Sequence, residues 1–256
     1  MTAEKSRPVP VTLSGKSVLV TGAARRVGAE IASVLHAAGA NVLLHYRSSA
    51  EDAQALAARL NELRPGSAKS AECDLLDVAQ LPGLVAAAVE AFGRLDVLIN
   101  NASTFYPTPV GDITEIDWDD LLGTNLKAPL FLAQAANTAL RLSAGLILNV
   151  ADIHGLRPLR RYPVYSIAKA GLIMLTKSLA RELAPQVRVN AVAPGPVMWP
   201  AEGLDKELQD KIIRRTALKR AGSAQEVARA CLYFASDAPY VTGQVLAVDG
   251  GRSIGW

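Results

Sequence analysis

Tyr165 and Lys169 are the two residues of this 256-residue chain whose types and spacing point most directly to chemistry. They stand four apart in the stretch PVYSIAKAGLIMLTKSLARE, where apolar residues recur at helical spacing. Residues at i and i+4 share a helix face, so the phenol and the ammonium point into the same space. A nearby ammonium favours the phenolate, which predicts a tyrosine pKa below its ordinary value of about 10 and proton exchange near neutrality. A lone Tyr-x-x-x-Lys pair also occurs on solvated helix surfaces, so its surroundings decide what it does.

Those surroundings are rhythmic. From Lys16 onward, seven short β-branched or Leu-rich runs (SVLVTG, NVLLHY, SAECDL, LDVLINN, LILNVA, VRVNAVAP, QVLAVDGG) alternate with longer Ala/Leu-rich segments. This alternation predicts βαβ units and a parallel sheet covered on both faces, a Rossmann-type doubly wound α/β fold. No repeat, linker or low-complexity segment divides the chain, so residues 1–256 read as one domain, with 1–14 as a loose N-terminal tail. The net charge of +3 is too small to argue for nucleic acid or a membrane surface, but it is compatible with small anionic ligands. The two cysteines, Cys73 and Cys231, have neither a disulfide framework nor metal-ligand spacing, so no metal is expected. No signal peptide and no apolar run of about 18 residues is evident, and a cytoplasmic protein is the expectation.

The ends of the strand runs carry polar groups, where open α/β sheets bind ligands. The first run ends in Thr21-Gly22-Ala23-Ala24-Arg25-Arg26-Val27-Gly28 and is followed by the helical segment AEIASVLHAAG. A glycine turn entering a helix N-terminus cradles phosphate through backbone N–H groups and the helix dipole, though an ordinary βα turn can also contain glycines. The second run ends at His45-Tyr46-Arg47-Ser48-Ser49, where an NAD enzyme usually places an acid for the ribose diol. That strand end offers Arg47, two hydroxyls and the nearby Arg26 instead, which favours the 2′-phosphate of NADP(H). Asp74, beside Leu75, is positioned to accept from an adenine amine, and Asn100-Asn101-Ala102-Ser103 closes the fourth run. Asn125 lies in the helical stretch WDDLLGTNLKAPLFLAQ, where a hydrogen-bonded core amide is the plain alternative to a functional role.

Taken in order, Thr21–Gly28, Asn100–Ala102, Asn125 and Tyr165-x-x-x-Lys169 resemble the short-chain dehydrogenases/reductases from about Lys16 to Gly251. The resemblance implies Tyr165 as proton donor, Lys169 lowering its pKa and holding the nicotinamide ribose, and Asn125 organising a water near Lys169. It also implies cofactor contacts from Gly22, Gly28, Asp74, Asn101 and Pro194-Gly195, and a homotetramer. Departures from the family pattern narrow the resemblance. Arg26 stands where the turn usually has its middle glycine, and Asp152 stands where the usual serine lies thirteen residues before the tyrosine. With His45-Tyr46 after the second strand and Ala102-Ser103-Thr104-Phe105-Tyr106-Pro107 after the fourth, the chain resembles the pteridine reductase branch.

That branch implies a pterin or folate substrate. Phe105 is suited to cover one face of a flat pterin, and Ser103 and Arg26 to meet its polar edge and the cofactor phosphates. Asp152 and Tyr165 would form a carboxyl–phenol relay that protonates a ring nitrogen. Trp199, in Met198-Trp199-Pro200, is expected to form part of a substrate lid or an oligomer contact. Arg157, Arg160 and Arg161 lie where they could shape the substrate mouth. Two other readings remain open: an NADPH-dependent carbonyl reductase of the 3-oxoacyl type, and a non-catalytic NADP(H)-binding sensor. Asp152 in place of serine counts against the first, and retention of Tyr165, Lys169 and Asn125 against the second.

Overall fold

A computed structural model describes residues 12–199 and 205–255. Its seven strands form one parallel sheet in the order β3-β2-β1-β4-β5-β6-β7. In chain order these are β1 (Ser17–Val20), β2 (Asn41–Tyr46), β3 (Ala68–Glu72), β4 (Val97–Asn100), β5 (Leu146–Val150), β6 (Arg188–Pro194) and β7 (Val245–Val248). The first half carries α1 (Arg26–Ala37), α2 (Ala50–Leu63), α3 (Leu81–Phe92) and α4 (Glu115–Leu122). The second half carries α5 (Ala128–Ser143), α6 (Pro163–Leu183), α7 (Lys206–Arg214) and α8 (Ala224–Ser236). The doubly wound fold expected from the alternating runs is the one observed.

The strands read as continuous apolar runs because both faces are buried. Side chains alternate across a strand, and each strand therefore feeds two cores. Val18, Val20, Val42, Leu44 and Ile99 pack with Ile31 and Leu35 of α1 and Val227 of α8. Leu19, Leu43, Leu98 and Ile147, one residue out of phase, pack on the other face with Leu84 of α3 and Leu132 of α5. The strand order reverses between β1 and β4, which opens a crevice at their C-terminal ends.

The tail boundary requires a correction. Leu13 is 3% exposed and its N–H donates to Ala38 O at 2.8 Å, so the folded domain has begun before residue 14. Residues 1–11 lie outside the described residues.

A buried hydrogen-bonded rail fixes α6 against the sheet. Asn100 Nδ2 donates to Asn149 Oδ1 at 2.8 Å, and Asn149 Nδ2 to Thr176 Oγ1 of α6 at 2.9 Å. The helix bearing Tyr165 and Lys169 is thereby tied to β4 and β5, the strands that end at Asn101 and Asp152.

At the opposite end of the sheet, burial and the Arg64 guanidinium push His36 down to about 4. Its Nε2 lies 2.7 Å from Ser67 Oγ. A depressed histidine contributes stability that is present above the unfolded pKa of about 6.5 and is lost as pH falls toward the folded value. Between pH 7 and 5, the unfolding free energy of the native chain should fall about 2 kcal/mol more than that of His36→Gln, read by denaturant titration. Parallel curves would mean that His36 is not buried neutral.

Candidate active site

The turn after β1 is built by close approach. Gly22 has φ 61°, and a Cβ there would meet Ala102 Cα at 2.9 Å. A Cβ on Gly28 would lie 2.2 Å from Gly22 O and 2.5 Å from Asn101 Nδ2. Thr21 Oγ1 accepts from the N–H groups of Asn101 and Ala102, at 2.9 and 3.0 Å. Asn101 Nδ2 returns bonds to Thr21 O and Gly22 O. His45 Nδ1 accepts from Gly22 N–H at 3.0 Å and its Nε2 lies 3.0 Å from Cys73 O. Desolvation by burial lowers its pKa, so it stands neutral. Thr21 and His45 are buried behind the turn at 1% and 2% exposure. Their hydrogen bonds shape the turn.

The start of α1 suits an anion. Its N-cap residue, Arg25, makes no side-chain cap, and the first turn contains no acid, whereas α4 and α8 begin with complete capping boxes. Free N–H groups at a helix N-terminus favour phosphate. Val27 packs into the core, and Arg26 takes φ 56°, a left-handed conformation that explains why glycine is usual at this position. The residues present therefore fit a dinucleotide phosphate at this turn. Gly195, following Pro194 at the end of β6, is similarly confined, because a Cβ would sit 2.6 Å from Asp249 Cβ.

Arg26 and Arg25 divide differently from the expectation. Arg26 Nη2 donates to Trp199 O at 2.8 Å, so it reaches across the crevice toward the segment after β6 and away from the end of β2. The neighbouring Arg25 is on the β2 side, with Nε 2.6 Å from Asp52 Oδ2 in the first turn of α2. Asp52, close to the 46–49 segment in sequence, is thus already ion-paired, and Arg47 and Ser48 are exposed. Asp74 Oδ1 accepts from Leu76 N–H, while Leu75 is buried. Pro200 lies outside the described residues.

At the centre of the crevice, Tyr165 Oη donates to Asp152 Oδ2 at 2.8 Å. Asp152 caps the short turn that follows β5, and its Oδ1 accepts from His154 N–H at 2.7 Å, which fixes the carboxylate. Tyr165 is 4% exposed, and burial, with the Asp152 carboxylate beside it, raises its pKa well above 10. This reverses the expected direction. An ammonium four residues away does lie near the ring, with Nζ 5.6 Å from its centroid, but Nζ is turned to Val150 O at 3.0 Å. Burial lowers Lys169 itself to about 8. The phenol is therefore held protonated, in the form of an acid.

Asn125 does not lie in a regular α-helix. Residues Gly123–Lys127 form a π-helical turn between α4 and α5. Such turns redirect side chains and recur at functional sites. Asn125 Nδ2 donates to Leu121 O and Thr104 O, and its Oδ1 accepts from Ser103 Oγ at 2.6 Å. The Ser103 hydroxyl also acts to lower the phenol's pKa, against the larger effects of burial and Asp152. Two hydrogen-bonded pairs, Asn125 with Ser103 and Tyr165 with Asp152, thus stand in the crevice.

Phe105 is 44% exposed at the mouth. It stacks on Tyr162 with centroids 4.6 Å apart and meets Tyr165 edge-on at 4.8 Å. Tyr162 was not singled out in the sequence; it is the non-helical residue just before α6, and its ring is placed by the stack on Phe105.

Over residues 22–253 the chain matches a family model described as "Enoyl-(Acyl carrier protein) reductase". It is 40% identical to Pteridine reductase 1 of Leishmania tarentolae over 277 aligned positions, covering 92% of this chain and 96% of that protein. It is 36% identical to the 3-oxoacyl-[acyl-carrier-protein] reductase FabG of Staphylococcus aureus over 242 positions, covering 92% and 97%. With that fold, that turn and these matches along nearly its whole length, the chain belongs to the short-chain dehydrogenase/reductase family and is an oxidoreductase.

Proposed function

We propose that the chain is an NADPH-dependent pteridine reductase that delivers a hydride to a dihydropterin ring and a proton to the ring nitrogen. Oxidised pterin and dihydrofolate are further substrates in this reading. The observation that carries it is the 2.8 Å hydrogen bond from Tyr165 to Asp152, in the position where the family usually has a serine. Bound NADPH supplies the hydride. Tyr165, kept protonated by burial and by Asp152, gives its proton to nitrogen, and the phenolate is then reprotonated through Asp152, whose carboxylate takes up a proton from solvent water and hands it on. Lys169 and Ser103 stabilise the phenolate while it exists. Phe105, half-exposed beside Tyr165, offers a flat aromatic surface to the pterin. Asn125 acts through Ser103, and a water held near Lys169 completes its role.

The turn at Thr21–Gly28, with Asn101, Ala102, Pro194 and Gly195, holds the dinucleotide in this reading, and Arg47, Ser48 and Ser49 hold its 2′-phosphate. NADPH should be preferred over NADH by at least about tenfold in kcat/KM, or about 1.4 kcal/mol, which one charge-assisted contact supplies. Equal efficiency with NADH contradicts this assignment.

The FabG relatives favour a second reading, 3-oxoacyl reduction. It accounts less well for Asp152, since a carboxylate cannot donate a hydrogen bond to a carbonyl. A cytoplasmic homotetramer fits both readings. Exposed Leu130 of α5, Ile167 and Met174 of α6 and Leu246 on the edge strand β7 provide apolar surface for subunit contacts. Among the described residues no helix is long and apolar enough to cross a membrane.

The discriminating experiment follows NADPH oxidation with dihydropterin, dihydrofolate and an acetoacetyl thioester in parallel. Turnover of dihydropterin well above that of the thioester is expected. The reverse order replaces the pteridine reading with the carbonyl one.

A further inference from the structure

The loop from Ile153 to Tyr162 carries three exposed arginines, Arg157, Arg160 and Arg161, to which the proposed chemistry gives no task. The backbone beneath them is fixed at short intervals. Arg157 N–H donates to Ile153 O at 2.9 Å, Leu159 N–H to Ser166 Oγ of α6 at 3.1 Å, and Tyr162 N–H to Leu159 O at 3.1 Å. Arg161 O accepts from Thr108 N–H at 2.7 Å, which pins the loop to the segment that carries Phe105. Through the stack of Tyr162 on Phe105, Arg160 and Arg161 stand on the rim of the mouth.

Two arginines at this mouth have left-handed backbones, Arg26 with φ 56° and Arg161 with φ 71°. Glycine enters that region at lower cost, so an arginine there needs an account. Arg26 has one, because its guanidinium reaches Trp199 O. Arg161 has none among the described residues. Neither Arg160 nor Arg161 makes a side-chain hydrogen bond or ion pair among the described residues. Of the acids of the surrounding segments, Asp152 is engaged with Tyr165 and His154, Asp117 with Thr114, and Asp120 with the Tyr106 hydroxyl, while Asp112, Glu115 and Asp119 are exposed.

We propose that this rim binds an anionic substituent on the pterin substrate, either a phosphate ester or the carboxylates of a glutamyl tail, while the ring lies against Phe105 and Tyr165. The proposal rests on the pteridine reading. Guanidinium groups pair with both anions in the same bidentate geometry. A loop already pinned by its own hydrogen bonds loses little further freedom when it does so.

The test compares 7,8-dihydroneopterin with its phosphate ester, and adds dihydrofolate, for the native chain, Arg160→Gln/Arg161→Gln and Arg161→Gly. For the native chain at low salt, kcat/KM should be about fivefold to tenfold higher for the ester than for the neutral pterin, mainly through KM. Salt should shrink that preference. The double variant should lose most of it while neutral-pterin turnover falls less than about twofold. Arg161→Gly relieves the backbone, so it should keep its fold and still lose part of the preference. Dihydrofolate separates the sources: a raised efficiency that the double variant abolishes assigns carboxylates, and one seen for the ester alone assigns phosphate. Equal efficiency for charged and neutral pterins, or an undiminished preference in the double variant, overturns the rim and leaves the pteridine reading standing. Turnover of an acetoacetyl thioester with none of the three pterins overturns the pteridine reading, and the rim with it.

Discussion

Asp152→Asn should lower kcat for dihydropterin by about 10²–10⁴-fold, and Tyr165→Phe should be at least as damaging. The asparagine keeps the size of the side chain, and its Oδ1 can still accept from His154 N–H, but its Nδ2 can only donate toward the phenol oxygen and it cannot exchange a proton. It also removes the charge that, after burial, does most to hold Tyr165 above its ordinary value. The tyrosine titration should therefore move downward, and any alkaline limb in the pH–rate profile should appear at lower pH than in the native chain. NADPH affinity should change little in either variant, since the phosphate cradle lies at the turn between β1 and α1. If Asp152→Asn reduces dihydropterin at the native rate, Asp152 only caps its turn and the relay is wrong.

Gly28→Ala should weaken NADPH binding by at least about 100-fold, or about 2.7 kcal/mol. The added carbon would stand 2.2 Å from Gly22 O and 2.5 Å from Asn101 Nδ2. The first of these is backbone, and the second is already committed to Thr21 O and Gly22 O. The turn must open, which spoils the cradle and destabilises the fold by about 1–3 kcal/mol. Gly83→Ala provides the control. Gly83 lies in α3 with nothing within 4 Å of its would-be Cβ, so the change should be neutral or stabilise by about 0.5–1 kcal/mol, with NADPH affinity unchanged. Calorimetric titration of NADPH into the three proteins reads the outcome; equal affinities would mean that the turn does not bind the dinucleotide.

The sheet was legible because burial on both faces leaves an unbroken apolar run in each strand, and seven such runs can be counted directly. The proximity of Tyr165 and Lys169 was legible because helix geometry is local. The pKa of the phenol was not, because it depends on burial and on a carboxylate brought in by the return from β5 to α6. The helix spacing brought the two groups together and gave the wrong sign for the phenol's shift. The π turn at Gly123–Lys127 has no compositional signature that separates it from an α-helix, so the contact of Asn125 with Ser103 was hidden. The direction of Arg26 was hidden for a related reason: its left-handed backbone sends the guanidinium to Trp199, 173 residues away in sequence. Tyr162 was hidden as well, because it precedes α6 with a non-helical backbone and meets Phe105 only through the tertiary fold.

The account stands or falls on whether Asp152 sets the site for a ring nitrogen in place of a carbonyl oxygen. The most direct measurement is the ratio of kcat/KM for dihydropterin to that for an acetoacetyl thioester, in the native chain and in Asp152→Ser, which restores the residue usual in the family. The account predicts a native ratio strongly in favour of dihydropterin that falls by at least about 100-fold in the serine variant. An Asp152→Ser enzyme that reduces dihydropterin as well as the native chain, with the ratio unchanged, would contradict it.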